Sequence, residues 1–411
     1  MTIAHYQRNI HKYAIDLMNE FPILAILGAR QVGKTSLSKM LAPDFRYFDL
    51  EKSADYERIA RDPEFFFKQY PSNIILDEAQ IYPEIFPLLR GVVDDQRQKK
   101  GRFIITGSSS PELLKNISES LAGRIAIIEL GTLKANEYYH YPLSDFYKIF
   151  QQKLDKNKIN IHTPALSLQQ LQKFWFTGGY PEPISGSSQF YHDWMTNYQA
   201  TYLDRDIAKL FPRLDKIAYR RFLSMMAKIS GKIINKSDIA RSLSVSEPTV
   251  SHYFDIANGT YLWRSLPSYE KNIVKSIVKM PKGHIRDTGL LHHLLHIDSL
   301  EELQNDPDCG FSFEAFVIEE ILKGLQDAKI RDVESYFYRT RNGAEIDLIL
   351  EGRFGLLPIE IKFGTKIARQ QLKSLIDFIK DNNCAFGIVI NQSDQIEWLT
   401  EDIIQIPAGY L

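Results

Sequence analysis

One short loop constrains the fold of this chain more than any other feature. Residues 28–35 read Gly-Ala-Arg-Gln-Val-Gly-Lys-Thr, which fits the phosphate-binding pattern G-x-x-x-x-G-K-[ST] at each fixed position. The apolar run at residues 23–27 predicts a buried strand before it, and residues 36–41 predict a helix after it. Backbone N–H groups of such a loop and the N-terminus of the following helix bind phosphate together. The sequence therefore predicts nucleotide binding, with a chance glycine turn as the alternative.

The side chains of the loop specify ATP with Mg²⁺ as the expected ligand. Lys34 is expected to reach the β- and γ-phosphates, and the hydroxyl of Thr35 is expected to bind Mg²⁺. The residues expected to contact the nucleotide form one run: Gly28, Ala29, Arg30, Gln31, Val32, Gly33, Lys34, Thr35 and Ser36.

A second acidic stretch predicts the other half of an ATPase site. Residues 74–76 are apolar, and Asp77 and Glu78 follow them directly. Asp77 is expected to meet Mg²⁺, and Glu78 is expected to activate or orient the attacking water. The alternative is a buried strand that ends in a polar turn. The presence of the loop at residues 28–35 argues against this alternative, because phosphoryl transfer needs both halves of the site.

Two further residues are candidates for the hydrolysis step. Residues 103–108 predict a strand that ends in hydroxyl groups, and we favour Ser108 over Thr106 as the residue that senses the γ-phosphate or holds the water. Arg124 follows a predicted helix and is a candidate to stabilise transition-state charge, in its own subunit or in a neighbour. The alternatives are a turn after a core strand for Ser108 and a surface arginine for Arg124.

Composition excludes several classes of protein. The 411 residues predict two to four domains, and 50 Lys and Arg against 51 Asp and Glu give a net charge of −1. Without a global basic excess, any nucleic-acid contact must be local. Two cysteines are too few for a disulfide framework or a zinc site, so we expect a cytoplasmic chain with reduced thiols. No apolar run approaches the length of a membrane span, so we expect no membrane partner.

The middle of the chain contains a helix-turn-helix pattern at residues 237–253. Ile239 and Leu243 are inward positions of the first predicted helix, and Ser246 predicts the cap of the second. Residues 261–269 and 277–285 predict the strands of a wing. The exposed positions of the second helix are poor in arginine and lysine, whereas the wing carries Lys271, Lys275 and Lys279. Both DNA binding and a structural or partner-binding role therefore stay open.

The C-terminal residues predict a mixed sheet with a charged cluster. Residues 335–339 and 345–350 predict a hairpin around the turn Asn342-Gly343, and residues 357–362 predict the next strand. A helix is expected to begin near Glu314.

The acidic residues of these strands predict a second metal site. Glu360 and Lys362 are two residues apart and share one face of a strand, with Asp347 on the adjacent strand and Glu314 on the preceding helix. Asp347 and Glu360 are candidate ligands of Mg²⁺, and Lys362 is a candidate to activate water or balance charge. The alternatives are a surface salt-bridge cluster and a degenerate nuclease fold.

Together the motifs resemble AAA+-type ATPases, and more closely the prokaryotic AAA_14/DUF4143 proteins, which pair an ATP-binding module with a C-terminal domain of unknown function. The resemblance rests on residues 27–35, 47–51, 75–80, 106–108, 119–124, 177–182, 201–206 and 287–291. The order of Asp347, Glu360 and Lys362 resembles the PD-(D/E)xK nucleases.

We therefore predict a multidomain α/β chain with four parts. They are a P-loop parallel-sheet ATPase core at residues 1–140, a linker and helical lid at 141–212, a winged helix-turn-helix at 213–290 and an α+β restriction-endonuclease-like domain at 300–411. The polar, lysine-rich residues 141–166 predict a linker rather than a packed core.

Two functions from different classes fit this sequence. In the first, an ATPase cycle moves the winged helix and an active nuclease-like domain on DNA or RNA. In the second, the chain is a nucleotide-dependent switch or scaffold whose inactive C-terminal fold binds a protein partner. Metal-dependent phosphodiester cleavage separates the two, and a homo-oligomer is compatible with both.

Overall fold

The computed structural model describes residues 6–108, 117, 119–207, 211, 214–270, 280–340 and 343–411. The chain divides into two compact units, one formed by residues up to 133 with 255–262 and the other by residues 134–254 with 263–411. Within the described ranges, no helix is long and apolar enough to cross a membrane. The predicted boundaries at 212 and 290–300 subdivide the second unit and stay a prediction.

A five-stranded parallel sheet forms the centre of the first unit, as predicted. The strand order is β2-β3-β4-β1-β5, with β1 at Ile23–Gly28, β2 at Arg46–Asp49, β3 at Ile74–Asp77, β4 at Phe103–Ser108 and β5 at Ile125–Glu129. The helices are α1 at His11–Glu20, α2 at Lys34–Leu41, α3 at Ser53–Ala60, α4 at Pro63–Gln69 and α5 at Ile85–Asp94.

The three inner strands of this sheet are buried along their whole length, as expected for a parallel sheet covered on both faces. Because neighbouring strands run in the same direction, the carboxyl ends of β1, β3 and β4 lie at one edge of the sheet. Gly28 is paired in register with Ser108 there. The fold thus gathers the end of each motif-bearing strand at one place.

The second unit begins with helices and a small sheet. The helices are α6 at Ala135–Tyr138, α7 at Leu168–Thr177, α8 at Pro181–Ile184, α9 at Ser188–Tyr198, α10 at Lys216–Lys228, α11 at Lys236–Leu243, α12 at Glu247–Gly259, α13 at Thr288–Leu294 and α14 at Leu300–Asn305. Residues 255–259 of α12 belong to the first unit. A π-helix continues α9 over Gln199–Asp206. The antiparallel strands are β6 at Lys232–Ile233, β7 at Trp263–Leu266 and β8 at Lys282–Ile285, in the order β6-β8-β7.

Helices α11 and α12 lie where the helix-turn-helix pattern predicts two helices. The Ser246 hydroxyl accepts a hydrogen bond from the backbone N–H of Thr249 at 3.3 Å, which is the expected cap of α12. The predicted wing residues at 271–279, with Lys271, Lys275 and Lys279, lie outside the described residues. The winged-helix assignment therefore stays a prediction.

The expectation of a linker rather than a packed core at residues 141–166 was wrong for residues 144–150. Short 3-10 helices form at Asp145–Gln151 and Lys156–Lys158, and Phe146, Tyr147 and Phe150 are at most 3 % exposed. These aromatic side chains bury enough apolar surface to fix the segment in spite of its many lysines.

A six-stranded mixed sheet forms the C-terminal part of the second unit, and the predicted α+β arrangement is confirmed. The order is β13-β14-β12-β11-β10-β9, with β9 at Glu334–Arg339, β10 at Glu345–Gly352, β11 at Gly355–Ile361, β12 at Gly387–Asn391, β13 at Glu397–Thr400 and β14 at Ile403–Pro407. Helix α15 spans Cys309–Asp327 and α16 spans Lys373–Asn382.

The pairing of this sheet changes direction at its middle. Strands β9, β10 and β11 pair antiparallel, whereas β11, β12 and β14 pair parallel. Asn342 of the predicted turn between β9 and β10 lies outside the described residues, and Gly343 has a φ of +85°. The nuclease-like classification of this fold stays a prediction.

Candidate functional site

The loop between β1 and α2 is shaped by its two glycines and closed by its lysine. A Cβ atom on Gly28 would lie 2.1 Å from the carbonyl oxygen of Leu130, and Gly33 has a φ of +97°, so other residues would clash or be strained. The buried Lys34 ammonium donates to the carbonyl oxygens of Gly28 at 3.1 Å and of Ala29 at 2.8 Å. Burial lowers the pKa of Lys34, and a bound phosphate would offset that cost.

The predicted magnesium residues are in direct contact. The Thr35 hydroxyl at the start of α2 donates to Oδ2 of Asp77 at 2.7 Å. The hydroxyls of Tyr47 and Thr106 also donate to this carboxylate. A hydroxyl and a carboxylate at the end of a parallel strand are oxygen ligands of the kind that Mg²⁺ prefers, so these residues fit the ion that accompanies ATP.

Glu78 lies next to this pair in a conformation that is uncommon for its residue type. Its backbone is left-handed, with a φ of +55°. Its carboxylate accepts from the side-chain amide of Gln80 and, at 3.4 Å each, from the backbone N–H and the hydroxyl of Ser108. The Glu78 backbone N–H donates to the Thr106 hydroxyl at 3.3 Å. Both hydroxyl residues of β4 therefore contact the acidic pair: Ser108 bonds to the Glu78 carboxylate, and Thr106 bonds to the Asp77 carboxylate and the Glu78 backbone.

Arg8 supports the phosphate-binding loop from outside. Its buried guanidinium donates to the carbonyl oxygen of Val32 at 3.0 Å and to that of Gly131 at 2.9 Å. Ser36 is exposed in the first turn of α2, and Arg30 of the loop pairs with Glu51 at 3.4 Å.

Arg124 lies away from these residues in its own chain. It directly precedes β5, and its carbonyl oxygen accepts from the N–H of Ile23, the first residue of β1. The phosphate-binding loop begins at the last residue of β1, whereas Arg124 lies beside the first residue. Arg124 is therefore at the end of the strands opposite to the loop. Its guanidinium forms a two-pronged ion pair with Asp94, at 2.7 Å in each bond. A direct role at the nucleotide of the same chain does not fit this position.

The predicted charged residues of the C-terminal part converge in the second unit. Lys362 Nζ lies 2.5 Å from Oε1 of Glu360, and the backbone N–H of Ile361 donates to Asp347 Oδ2 at 2.8 Å. Burial, with the nearby charge of Asp347, raises the pKa of Glu314 and of Glu360 to about 8.

Lys282 of β8 joins this cluster and changes its chemistry. Its ammonium lies 2.5 Å from Glu314 and 3.8 Å from Asp347. Within the described part of the chain, no group of three or more His, Cys, Asp or Glu side chains is placed to hold a metal ion. The predicted metal site at Asp347 and Glu360 is thus not supported by a third acidic ligand, and a lysine contacts two of the candidate carboxylates.

Sequence reasoning missed four residues of these sites: Arg8, Tyr47, Gln80 and Lys282. Gln80 stands two positions after Glu78, so its contact could have been considered from spacing alone. The other three act on residues far away in the sequence, and no local pattern marks them. Only the fold brings them to their partners.

Family comparisons cover three segments of the chain. A model of the AAA domain matches residues 20–139, and models of two domains of unknown function, DUF8612 and DUF4143, match residues 168–301 and 309–411. Uncharacterized proteins of Mycobacterium tuberculosis and Mycobacterium bovis are each 32 % identical over 400 residues, which cover 96 % of this chain and 82 % of each relative.

Two solved structures show remote likeness. A Walker-type ATPase of Pyrococcus abyssi has a TM-score of 0.41 and 14 % identity, covering 71 % of this chain and 96 % of its own. The RuvB Holliday junction branch migration motor of Thermotoga maritima has a TM-score of 0.31 and 15 % identity, covering 64 % and 90 %. At these scores neither likeness bears on the function of this chain.

Proposed function

The chain belongs to a family of AAA-type ATPases that carry a C-terminal DUF4143 domain, and we propose that it binds ATP with Mg²⁺ at residues 28–36 and hydrolyses it. One observation carries the proposal. Lys34, the Thr35–Asp77 pair and Glu78 lie together at the carboxyl ends of the parallel strands β1 and β3. These are a phosphate-binding cation, a metal-binding pair and a carboxylate for water activation.

Each residue then has a distinct role in the proposed reaction. Lys34 leaves the carbonyl oxygens of the loop and binds the β- and γ-phosphates. Thr35 and Asp77 would hold Mg²⁺, and the ion would supply positive charge beside the phosphates. Glu78 takes up the proton of the attacking water, or orients that water, while Ser108 holds the Glu78 carboxylate in position.

ATP binding and ATP hydrolysis by two variants test this proposal. Lys34→Ala should abolish tight ATP binding, because the lysine faces phosphate that is already present in the ground state. Glu78→Gln should bind ATP normally and hydrolyse it slowly, because its role lies in the reaction step. Lys68→Ala, an exposed lysine on α4, serves as the matched control and should change neither quantity. Normal turnover by Glu78→Gln would remove the proposed role of Glu78.

For the C-terminal domain we favour the scaffold over the nuclease. The Lys282 ammonium contacts carboxylates that an active site would need for metal, and the nucleotide cycle would then act on the middle and C-terminal parts as a switch for a protein partner. In the second candidate function, Asp347 and Glu360 bind Mg²⁺ and Lys362 assists cleavage of DNA or RNA. The convergence of these three residues is the observation that favours it.

Incubation of the full chain with DNA and RNA separates the two functions. We expect no cleavage in Mg²⁺ or Mn²⁺, with or without ATP. Cleavage that disappears in Asp347→Ala and in Lys362→Ala would establish the nuclease and end the scaffold proposal.

A further inference from the structure

Lys282 is a buried lysine surrounded by carboxylates. Its side chain is 3 % exposed, and its ammonium lies 2.5 Å from Oε1 of Glu314, 3.0 Å from Oε1 of Glu345 and 3.8 Å from Oδ1 of Asp347. These carboxylates come from one helix, α15, and one strand, β10. A buried ammonium group is stable only when such partners offset its loss of water.

Three carboxyl groups and one ammonium group lie at the buried centre of the cluster. Glu314, Asp347 and Glu360 are each at most 7 % exposed, and Lys282 is the deeply buried cation beside them. The Lys362 side chain, which is 31 % exposed, forms an ion pair with Glu360. Within the described residues, the buried Oε2 atom of Glu360 has no hydrogen-bond partner. The Lys282 ammonium is thus the buried cation that contacts two of these three carboxyl groups, Glu314 and Asp347.

The cation comes from a different segment than the carboxylates do. Lys282 lies within the DUF8612 match at residues 168–301, whereas its partners lie within the DUF4143 match at residues 309–411. Both segments belong to the same compact unit. The contact thus connects the small sheet of β6, β7 and β8 with the C-terminal fold.

We propose that the ammonium of Lys282 is the resident cation of this carboxylate cluster, and that it excludes a divalent metal ion from the place where Glu314 and Asp347 converge. The inference rests on the scaffold function proposed above for the C-terminal domain. It adds a means of regulation to that function. If β8 moved away, a divalent cation would take the place of the Lys282 ammonium, because carboxylate oxygens are ligands for hard divalent cations.

Binding of Mn²⁺ to the nucleotide-free full chain tests the inference. We expect Lys282→Met to gain one bound Mn²⁺ per chain relative to the wild type, and Lys282→Met with Asp347→Asn to lose it again. Lys282→Arg keeps the positive charge and should gain none. Lys232→Met is the matched control on the neighbouring strand β6, where Lys232 pairs with Asp308 at 2.7 Å, and it should also gain none. A folded Lys282→Met chain that gains no ion overturns the inference.

A second measurement decides the inference even if Lys282→Met does not fold. Mn²⁺ should shift the thermal midpoint of the wild type and of Asp347→Asn by the same amount, because metal does not enter the cluster while Lys282 is present. A larger shift in the wild type would mean that metal binds beside the lysine, and would overturn the inference.

The nuclease assay keeps this result separate from the proposed scaffold function. A wild-type chain that binds Mn²⁺ at Asp347 but cleaves nothing overturns the inference and leaves the scaffold function in place. A wild-type chain that cleaves nucleic acid overturns the scaffold function, whereas the Mn²⁺ count of Lys282→Met decides the inference.

Discussion

At the residue scale, the two hydroxyls near the end of β4 donate to different carboxylates of the acidic pair. Thr106 donates to Asp77, the proposed metal ligand, whereas Ser108 contacts Glu78, the proposed base. Thr106→Val should therefore weaken Mg²⁺-dependent ATP binding, and Ser108→Ala should lower turnover with little loss of affinity. Removal of a hydrogen bond to a charged group costs about 1.5–3 kcal/mol, so we expect changes of roughly tenfold to hundredfold. ATP binding and ATP turnover of both variants are measured in parallel. The assignment is contradicted if Thr106→Val lowers only turnover and Ser108→Ala weakens only ATP binding.

The charged cluster predicts how stability depends on pH. Burial and Asp347 raise the pKa of Glu360 to about 8, so the folded chain keeps a proton that the unfolded chain releases. Stability contributed by this group therefore falls as the pH rises from about 4.5 to about 8, by at most about 1.4 kcal/mol per pH unit.

Substitution of Glu360 isolates this contribution. Glu360→Gln cannot ionise, so its free energy of urea unfolding should decline less than that of the wild type between pH 5 and pH 8. Glu334→Gln, an exposed glutamate on β9, is the control and should follow the wild type. Parallel pH profiles for Glu360→Gln and the wild type would show that Glu360 is ionised throughout.

The residues that sequence reasoning found share one property. Lys34, Asp77 and Glu78 each stand in a short run whose residue types and order are required by one chemistry, so they could be predicted without a fold. Tyr47 and Lys282 depend on a contact across the sheet or between segments, and only the three-dimensional structure identifies them.

At the element scale, strands were easier to predict than the packed segment at residues 145–151. Apolar runs bounded by polar turns located β1, β3 and β4 of the first unit to within two residues, because these strands are buried along their whole length. The segment at 145–151 is different, since its aromatic residues alternate with charges and acquire a core only through a distant helix. Tyr147 shows this, because its hydroxyl donates to the carbonyl oxygen of Glu320 on α15 at 2.9 Å.

A glycine on α15 tests this packing. A Cβ atom on Gly324 would lie 2.0 Å from the ring of Tyr147, whereas a Cβ on Gly310 of the same helix meets nothing within 4 Å. Gly324→Ala should lower the free energy of unfolding by about 1–3 kcal/mol through overpacking. Gly310→Ala should leave it unchanged or raise it slightly, because alanine favours a helix. Equal thermal midpoints for the two variants would mean that residues 145–151 are not packed on α15.

At the scale of the whole molecule, the motifs predicted a multidomain chain but not its division into two compact units. The structure joins the linker, the middle helices and the C-terminal sheet in one compact unit. Buried ion pairs within that unit, such as Lys134 with Glu320 and Arg264 with Glu319, join residues far apart in sequence.

Arg124 provides the prediction that concerns assembly. Its backbone pairs with the first residue of β1, and the phosphate-binding loop begins five residues later, about 16 Å along the strand. An arginine side chain in this place does not reach ATP in its own chain, so a direct contact between Arg124 and ATP requires a neighbouring copy. Arg124→Ala should then lower turnover with less effect on ATP affinity, whereas Arg61→Ala, an exposed arginine after α3, should change neither.

Mixing two inactive variants decides whether the arginine acts between subunits. Arg124→Ala keeps an intact nucleotide site, and Lys34→Ala keeps an intact arginine, so a mixed oligomer contains complete sites at some of its interfaces. Turnover by the mixture should therefore exceed the sum of the separate rates, and it should rise with protein concentration as the oligomer forms. If Arg124→Ala alone hydrolyses ATP at the wild-type rate, Arg124 is only the surface partner of Asp94. If the variant is slow and mixing restores nothing, the loss arises from the Asp94 ion pair within the chain, and no oligomer is needed to explain it.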